Sequence, residues 1–204
     1  MQVERPFGDE KVACEGVPMI GGSSLASKAP GIADRLVDVA IPRVVLSGGW
    51  EHPLDLHSFA CARAVVIYFY PGCSGSPGDG EETALMDAAQ HRAFRDRQPD
   101  LEAQHCSAIG ISSQSKESQR EAHLANRVSQ KLLCDPELQL ARELGLPTFA
   151  RHEARWYERL TLIASGGRVE KAFFPVPNAA SSAAQVIAWM TCQGCPVEVA
   201  DDAG

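Results

Sequence analysis

The segment ERLTLIASGGRVEKAFFPV, residues 158–176, predicts a β-hairpin and indicates the fold class. Two runs rich in apolar and β-branched residues flank Ser165, Gly166 and Gly167, and glycine readily adopts the positive φ that a tight turn requires. Before this hairpin, strand-like apolar runs alternate with amphipathic helical segments. This order predicts a three-layer α/β fold. Its central mixed sheet has parallel strands in the middle and the C-terminal β-hairpin at one edge, with flanking helices.

The remaining elements follow from hydrophobic periodicity and helix-start signals. Strands are predicted over residues 35–49, 62–71 and 105–112. Helices are predicted over residues 79–97, from about residue 115, over 135–145 and over 178–192. The third of these helices has Asp135 as its expected N-cap, with Pro136 at the first helical position. The helix over 79–97 is expected to bury one apolar face, made of Leu85, Met86, Ala89, Ala93 and Phe94.

Length and composition suit one domain. The chain has 204 residues, 45% of them hydrophobic. Residues 1–34 are rich in Gly, Pro and Ser and predict a loosely ordered arm, followed by a domain over 35–192 and a tail over 193–204. A net charge of -7 without a run of Lys or Arg argues against nucleic acid and anionic lipid as partners. The sequence has neither a signal-peptide core nor an apolar stretch near the ~18 residues of a membrane span, which predicts a cytoplasmic protein.

Five segments occur in the order that is typical of one known family. They are VVIYFYP (65–71), AFRD (93–96), IGISSQS (109–115), LLCDPELQLARELGLPTF (132–149) and ERLTLIASGGRVEKAFFPV (158–176). On these segments the chain resembles the peroxiredoxin-like AhpC/TSA family, in particular its bacterioferritin-comigratory, or Q-type, branch. The resemblance implies a thioredoxin-like fold, association as a homodimer, and a pocket in which a cysteine reduces peroxides.

The family's cysteines are missing from their expected positions. In this family the peroxidatic cysteine lies seven residues before the aromatic residue of the AFRD-type segment, here Phe94, and that count leads to Asp87. In the motif that follows, Gln90 matches the family, whereas both the nucleophile and the Thr are absent. The position of the nearby resolving cysteine holds Arg92. Counting from the end of the preceding strand leads to Gly78 instead, so neither alignment supplies a cysteine.

Arg159, at the start of the hairpin, matches the arginine that the family keeps beside its nucleophile. A carboxylate at Asp87 would form a charge-assisted pair with it. Without a thiol no sulfenic acid can form, so peroxide reduction by the family mechanism is not expected. The interpretation is a small-molecule ligand or substrate, with Asp87 as general acid or base and Arg159 as anion holder, in a pocket that Pro71, Ser74 and Gln90 line. The alternatives are an ordinary polar helix position for Asp87 and a surface arginine for Arg159.

A second hypothesis places a redox thiol at Cys73, directly after the strand over 62–71. Cys73 and Ser76 form a CxxS motif, at the sheet edge where thioredoxin-like proteins keep their active thiol. The next helix is predicted to start near Asp79, which is too late to activate this thiol, and Glu81 adds negative charge to its first turn. The alternative is a loop thiol of ordinary reactivity.

Cys192 and Cys195 form a CxxC motif at the end of the last predicted helix, where the helix dipole disfavours a thiolate. A disulfide that fastens the tail, a resolving pair for Cys73 and half of a zinc site stay open. No second pair of ligands has zinc-site spacing, so neither a metal nor a cofactor is predicted. The other cysteines in or beside apolar runs are expected to be buried and inert: Cys61, Cys106 and Cys134.

Three functions are therefore open. The first is a peroxiredoxin-like protein that has lost peroxidase activity and uses the pocket for other catalysis on a small molecule, or for binding one. The second is a thiol oxidoreductase with Cys73 as nucleophile and Cys192 or Cys195 as resolving thiol. The third is a non-catalytic dimeric scaffold.

Overall fold

Strands and helices alternate along the chain in this computed structural model, which describes residues 31–49, 52–72, 80–151 and 154–194. The elements in chain order are α1 (Ile32–Leu36), β1 (Val45–Leu46), β2 (Leu54–Asp55), α2 (Leu56–Ala62), β3 (Ala64–Phe69), α3 (Gly80–Asp96), α4 (Gln98–Ala103), β4 (Cys106–Ser112), α5 (Lys116–Asn126), β5 (Lys131–Cys134), α6 (Gln139–Leu144), β6 (Thr148–Arg151), β7 (Ala154–Tyr157), β8 (Leu160–Ser165), β9 (Arg168–Phe173), a 3-10 helix (Ala179–Ser181) and α7 (Ser182–Gly194).

The central sheet has the strand order β5-β4-β3-β8-β9. Strand β3 pairs with β4 in parallel, where Ile67 lies opposite Ile109, and with β8 in antiparallel, where Ile67 lies opposite Leu162. Strands β4 and β5 are parallel, and the β8–β9 hairpin forms the other edge. Gly166 and Gly167 have φ values of 56° and 76° at its turn. The predicted thioredoxin-like fold, with a mixed sheet and a C-terminal hairpin, is confirmed.

Strand β3 is buried on both faces, as expected for a strand between parallel and antiparallel neighbours in a three-layer domain. Alternate side chains enter two separate core clusters: Val65, Ile67 and Phe69 in one, Val66, Tyr68 and Tyr70 in the other. The Tyr68 ring stacks on the Phe94 ring of α3, with 4.5 Å between centroids. Tyr68 of β3 and Tyr70, just after the strand, therefore both face α3.

The strand predicted over residues 35–49 is wrong. This segment contains the short helix α1 and the two-residue strand β1. Asp38 adopts a left-handed φ of 65°, and Pro42 has no N–H to donate to a strand ladder. Leu36, Ile41, Val44 and Leu46 are nevertheless buried, whereas Val37 and Val45 are exposed, so the hydrophobicity of the segment marks separate core contacts rather than a strand.

The helix predicted over 135–145 begins later than expected, at Gln139. Residues 136–137 form a turn, and Leu138 has a left-handed φ of 52°. The N-cap residue is Leu138 and not Asp135 as predicted, but the Asp135 carboxylate still accepts hydrogen bonds from the first free backbone N–H groups of the helix, those of Gln139 and Leu140. Gly145 ends the helix at φ 64°, as predicted. The sequence analysis missed the helices α2 and α4, the strand β5 of the central sheet, the short strand β2 and the β6–β7 pair.

The other helices begin and end close to their predicted positions. Ser115 caps α5, and Asn178 caps the 3-10 turn that leads into α7. Residues 1–30 and 195–204 lie outside the described residues, so the proposed arm and tail stay predictions. In the described part of the chain, no helix combines the length and apolar character needed to cross a lipid bilayer.

Candidate functional site

Helix α3 buries a polar face against the sheet. Its buried residues are Gly80, Asp87, Gln90, His91 and Phe94. Of the predicted apolar face, Phe94 is buried and Ala93 packs half-buried against the core, Met86 and Ala89 are half-buried, and the prediction is wrong for Leu85, which is 63% exposed. A helix can bury polar side chains only where other elements supply hydrogen-bond partners. The partners of this helix come from β3, from the loop after it and from the residue before β8.

Asp87 and Arg159 form an ion pair in this interior. Arg159 Nη2 donates to Asp87 Oδ1 at 2.7 Å, and the side chains are 8% and 9% exposed, respectively. Arg159 Nη1 donates to the Gln90 side-chain oxygen. Because Asp87 and Gln90 lie three residues apart on one helix, a single guanidinium group reaches both. Arg159, which directly precedes β8, thus binds two residues of α3.

The second oxygen of Asp87 accepts a hydrogen bond from the loop that follows β3. Gly72 N donates to Asp87 Oδ2 at 2.9 Å. Gly72 has a φ of 72°, and a Cβ atom there would lie 2.4 Å from Gln114 Cγ, so this position requires glycine both for its φ and for space. The carboxylate of Asp87 is thus held between a backbone amide and a guanidinium.

Burial raises the pKa of Asp87 above its usual value, while the Arg159 guanidinium and the Gly72 amide act in the opposite direction. The neighbouring His91 is 1% exposed, and burial lowers its pKa to about 3, aided by the positive charge of Arg159. His91 is therefore neutral at physiological pH. The interior of α3 holds one carboxylate that a guanidinium balances, and beside it a neutral imidazole.

A hydrogen-bonded network fixes His91. Tyr68 Oη lies 3.0 Å from His91 Nδ1, and Gln130 Nε2 donates to the same hydroxyl at 2.9 Å. Since the hydroxyl accepts from Gln130, its own proton is available for His91 Nδ1, which leaves the remaining proton of the neutral ring on Nε2. His91 Nε2 has no hydrogen-bond partner among the described residues.

A cavity of about 230 Å³ adjoins this cluster, between α3, α5 and the end of β3. Its lining includes Tyr70, Asp87, His91, Gln114, Ser118 and Glu121. These side chains are neutral or acidic. The cavity therefore suits a small polar molecule that is neutral or positively charged better than an anion.

The structure brings together some of the predicted site residues. Asp87 lines the cavity and contacts Arg159, whereas Gln90 is fully buried and contacts Arg159. Pro71 is buried next to Gly72. Cys73 and Ser74 lie outside the described residues. The contact between Asp87 and Arg159 is present as the sequence analysis expected, and the roles of the site residues stay predictions.

The described cysteines lie elsewhere. Cys106 and Cys134 are buried as predicted, and burial raises the pKa of each thiol to about 11. The prediction that Cys61 is buried is wrong, because this thiol is exposed on α2. Cys192 is exposed on α7, and its CxxC partner Cys195 lies outside the described residues. Within the described ranges, no group of three or more His, Cys, Asp or Glu side chains has an arrangement that could hold a metal ion.

Comparison with known protein families gives a match to the AhpC/TSA family over residues 37–171. The chain belongs to this family. Curated protein sequences give no match. Solved structures with the same fold include the peroxidoxin BcpB from Mycobacterium tuberculosis, with a TM-score of 0.64 at 18% identity, covering 76% of this chain and 96% of that one. The likeness of this AhpC/TSA chain to BcpB, at so low an identity, is one of fold.

Two further solved structures give the same result. The bacterioferritin comigratory protein of Xanthomonas campestris has a TM-score of 0.61 at 21% identity, over 74% of this chain and 92% of that one. A Cys→Ser mutant of PrxQ from Xylella fastidiosa has a TM-score of 0.64 at 16% identity, over 78% and 97%. The structural neighbours of this AhpC/TSA protein are thus peroxiredoxins of the bacterioferritin-comigratory and Q type.

Several residues of the cluster were missed by the sequence analysis: Tyr68, Tyr70, Gly72, His91 and Gln130. One signal in the sequence could have indicated His91, which lies four residues after Asp87 and hence on the same side of α3. Gly72 directly follows the strand predicted over residues 62–71, and the end of that strand lies at the site. For Gln130 the sequence holds no signal, because its contacts with Tyr68 and with the His91 carbonyl depend on how β3 and α3 pack.

Proposed function

We propose that this AhpC/TSA-family protein does not reduce peroxides through a cysteine at the α3 position, and that its α3 site binds a small polar molecule instead. The observation that carries the proposal is the burial of Asp87 in an ion pair at the wall of a cavity of about 230 Å³. A carboxylate that a guanidinium orients, beside a neutral imidazole, can receive a hydrogen bond from a ligand or exchange a proton with it.

In this proposal Asp87 contacts the ligand, and Arg159 positions the Asp87 carboxylate. Both Nη atoms of Arg159 already bind α3, one through Asp87 and one through Gln90. The anion that Arg159 holds is therefore the Asp87 carboxylate itself. The preferred ligand is a neutral or cationic molecule with a hydrogen-bond donor for Asp87 and an acceptor for His91 Nε2, since Glu121 adds a second carboxylate to the cavity wall.

The proposed loss of peroxidase activity is tested by measuring peroxide turnover. With hydrogen peroxide and dithiothreitol or thioredoxin as reductant, we expect no fast reduction by the wild-type chain, because cleavage of the peroxide bond needs a thiolate that becomes a sulfenic acid. Rates near those of ordinary peroxiredoxins, unchanged by any single Cys→Ser substitution, would contradict this requirement for a thiolate and with it the proposed loss of peroxidase activity.

Ligand binding is tested by thermal shift against matched panels of neutral, cationic and anionic small molecules. We expect stabilising compounds among the neutral and cationic panels, and loss of their effect in Asp87→Asn. The matched control is Asp96→Asn, which removes an exposed carboxylate of the same helix. Ala122→Leu narrows the cavity without touching the ion pair and should also abolish the shifts. Equal shifts in the wild type and in both cavity variants would refute the proposed site.

A relocated nucleophile at Cys73 is the second candidate function. This candidate is supported by the position of Gly72, which directly precedes Cys73 in the sequence and donates its backbone N–H to Asp87. Cys192 or Cys195 would then resolve the oxidised thiol. A peroxide-reduction rate that Cys73→Ser alone abolishes would favour this candidate over the first.

A further inference from the structure

His57 and Cys61 lie one turn apart on helix α2, away from the α3 site. Cys61 Sγ is 3.5 Å from His57 Nε2, within the range of a hydrogen bond to sulfur. The spacing of four residues places both side chains on one side of the helix. Cys61 is exposed and His57 is half-buried. A nucleophile and a base are thus adjacent at the protein surface.

The tautomer of His57 is set by the backbone. His57 Nδ1 lies 2.6 Å from the carbonyl oxygen of Ile41, and a carbonyl can only accept a hydrogen bond, so Nδ1 carries the proton. In the neutral ring, Nε2 then holds the lone pair, and this is the atom that faces Cys61 Sγ. The orientation is that of a base positioned to take the thiol proton.

The hairpin turn packs against this pair. A Cβ atom at Gly167 would lie 2.7 Å from Cys61 Sγ and 3.2 Å from His57 Cε1. Gly167 N donates to the Ala60 carbonyl, and the Gly167 carbonyl accepts from Ile41 N at 2.8 Å. The turn therefore binds both α2 and the segment that orients the imidazole, which holds base and thiol in place.

The other described cysteines do not share this arrangement. Cys106 and Cys134 are buried, and Cys134 donates to the Gln119 side chain. Cys192 is exposed on α7. Cys61 lies in the last turn of α2, with the His57 Nε2 lone pair as the adjacent proton acceptor. His57 acts when the thiol reacts.

We propose that Cys61 and His57 form a thiol-modification site that exchanges with low-molecular-weight disulfides. His57 Nε2 takes the Cys61 proton, and the thiolate attacks one sulfur of the small disulfide. A new disulfide bond forms to Cys61 as the old one breaks, and the leaving thiolate takes the proton back from His57. One disulfide is consumed and one is formed, so electrons and protons balance. The site does not depend on the function proposed for Asp87.

The test treats the full-length protein with glutathione disulfide and follows each cysteine by peptide mass mapping. We expect Cys61 to form the mixed disulfide about tenfold or more faster than Cys192, which serves as an internal exposed control. In His57→Asn the Cys61 rate should fall by a similar factor, with the Cys192 rate unchanged. In Cys192→Ser the Cys61 rate should stay as in the wild type.

Two outcomes would overturn the proposal: a wild-type Cys61 that reacts no faster than Cys192, or a Cys61 rate that His57→Asn leaves unchanged. The first comparison needs no variant, so a folding defect in His57→Asn leaves the proposal testable. Circular dichroism and thermal melting of each variant separate loss of the base from loss of structure.

Discussion

Arg159 Nη2 and Asp87 Oδ1 meet at 2.7 Å across 72 residues of sequence, and each side chain is more than 90% buried. Burying two charges costs desolvation free energy, which their mutual attraction and the additional hydrogen bonds from Gly72 and to Gln90 offset. The pair therefore behaves as a unit. Removing one member leaves the other as an uncompensated charge inside the protein.

Asp87→Asn and Arg159→Met are each expected to lower the free energy of unfolding by about 3 to 5 kcal/mol, because each leaves a buried charge unpaired. The double variant should lose less than the sum of the two. Urea unfolding of all four proteins measures this coupling. The matched control is the exposed ion pair of Asp38 and Arg168. Substitution of either residue should lower the free energy of unfolding by only about 0 to 1 kcal/mol. Small additive losses at Asp87 and Arg159 would mean that the two residues do not share a site.

Gly72→Ala should destabilise the protein by about 2 to 4 kcal/mol, since the new Cβ meets the Gln114 side chain and the residue keeps a positive φ. Gly166→Ala is the control, because its φ is also positive but nothing lies within 4 Å of its Cβ position. That control should cost only about 1 kcal/mol. Equal losses in the two variants, measured by urea unfolding, would show that the space around Gly72 is not restricted.

Stability should depend on pH through His91. Its pKa falls from 6.5 to about 3 on folding, so the unfolded chain takes up a proton that the folded chain does not. The stabilisation is complete above about pH 6.5 and is lost as the pH falls towards 3, at a rate of up to about 1.4 kcal/mol per pH unit.

Between pH 7 and pH 5, the wild type should therefore lose about 2 kcal/mol more than His91→Asn does. Urea unfolding of both proteins at the two pH values provides the measurement. Asp87 is present in both, so its own pH dependence cancels in the comparison. An identical loss in wild type and variant would mean that His91 is not buried as a neutral imidazole.

Tyr157→Phe is expected to cost about 1 to 3 kcal/mol. Tyr157 is fully buried, and its hydroxyl donates to Asp135 Oδ2 at 2.5 Å. Asp135 uses its carboxylate to cap α6, so loss of the hydroxyl removes one donor from a buried acceptor. Thermal melting and hydrogen exchange of the α6 amides check this. Unchanged protection of the Gln139 and Leu140 amides would contradict a role for Tyr157 in holding the cap.

Local signals in the sequence were sufficient to predict an element where residues within or next to that element determine where it begins or ends. The turn at Gly166 and Gly167, the cap at Ser115 and the left-handed Gly145 were all predictable, because each depends on the conformational freedom or hydrogen bonding of residues close in sequence. Local signals failed between residues 35 and 49. There some of the apolar residues, such as Leu36 and Ile41, fill core positions while Asp38 and Pro42 interrupt any strand ladder.

What the sequence alone determined is the fold class with its C-terminal hairpin, the family and two candidate members of the site, Asp87 and Arg159. What only the tertiary structure decided is which face of α3 is buried. Periodicity favoured Leu85, yet the buried face carries Asp87 and His91, because Arg159, Gly72 and the hydroxyl of a β3 tyrosine supply partners that lie far away in sequence. A polar side chain can be buried only where such partners converge, and their convergence is a property of the packed sheet and helix rather than of any local segment.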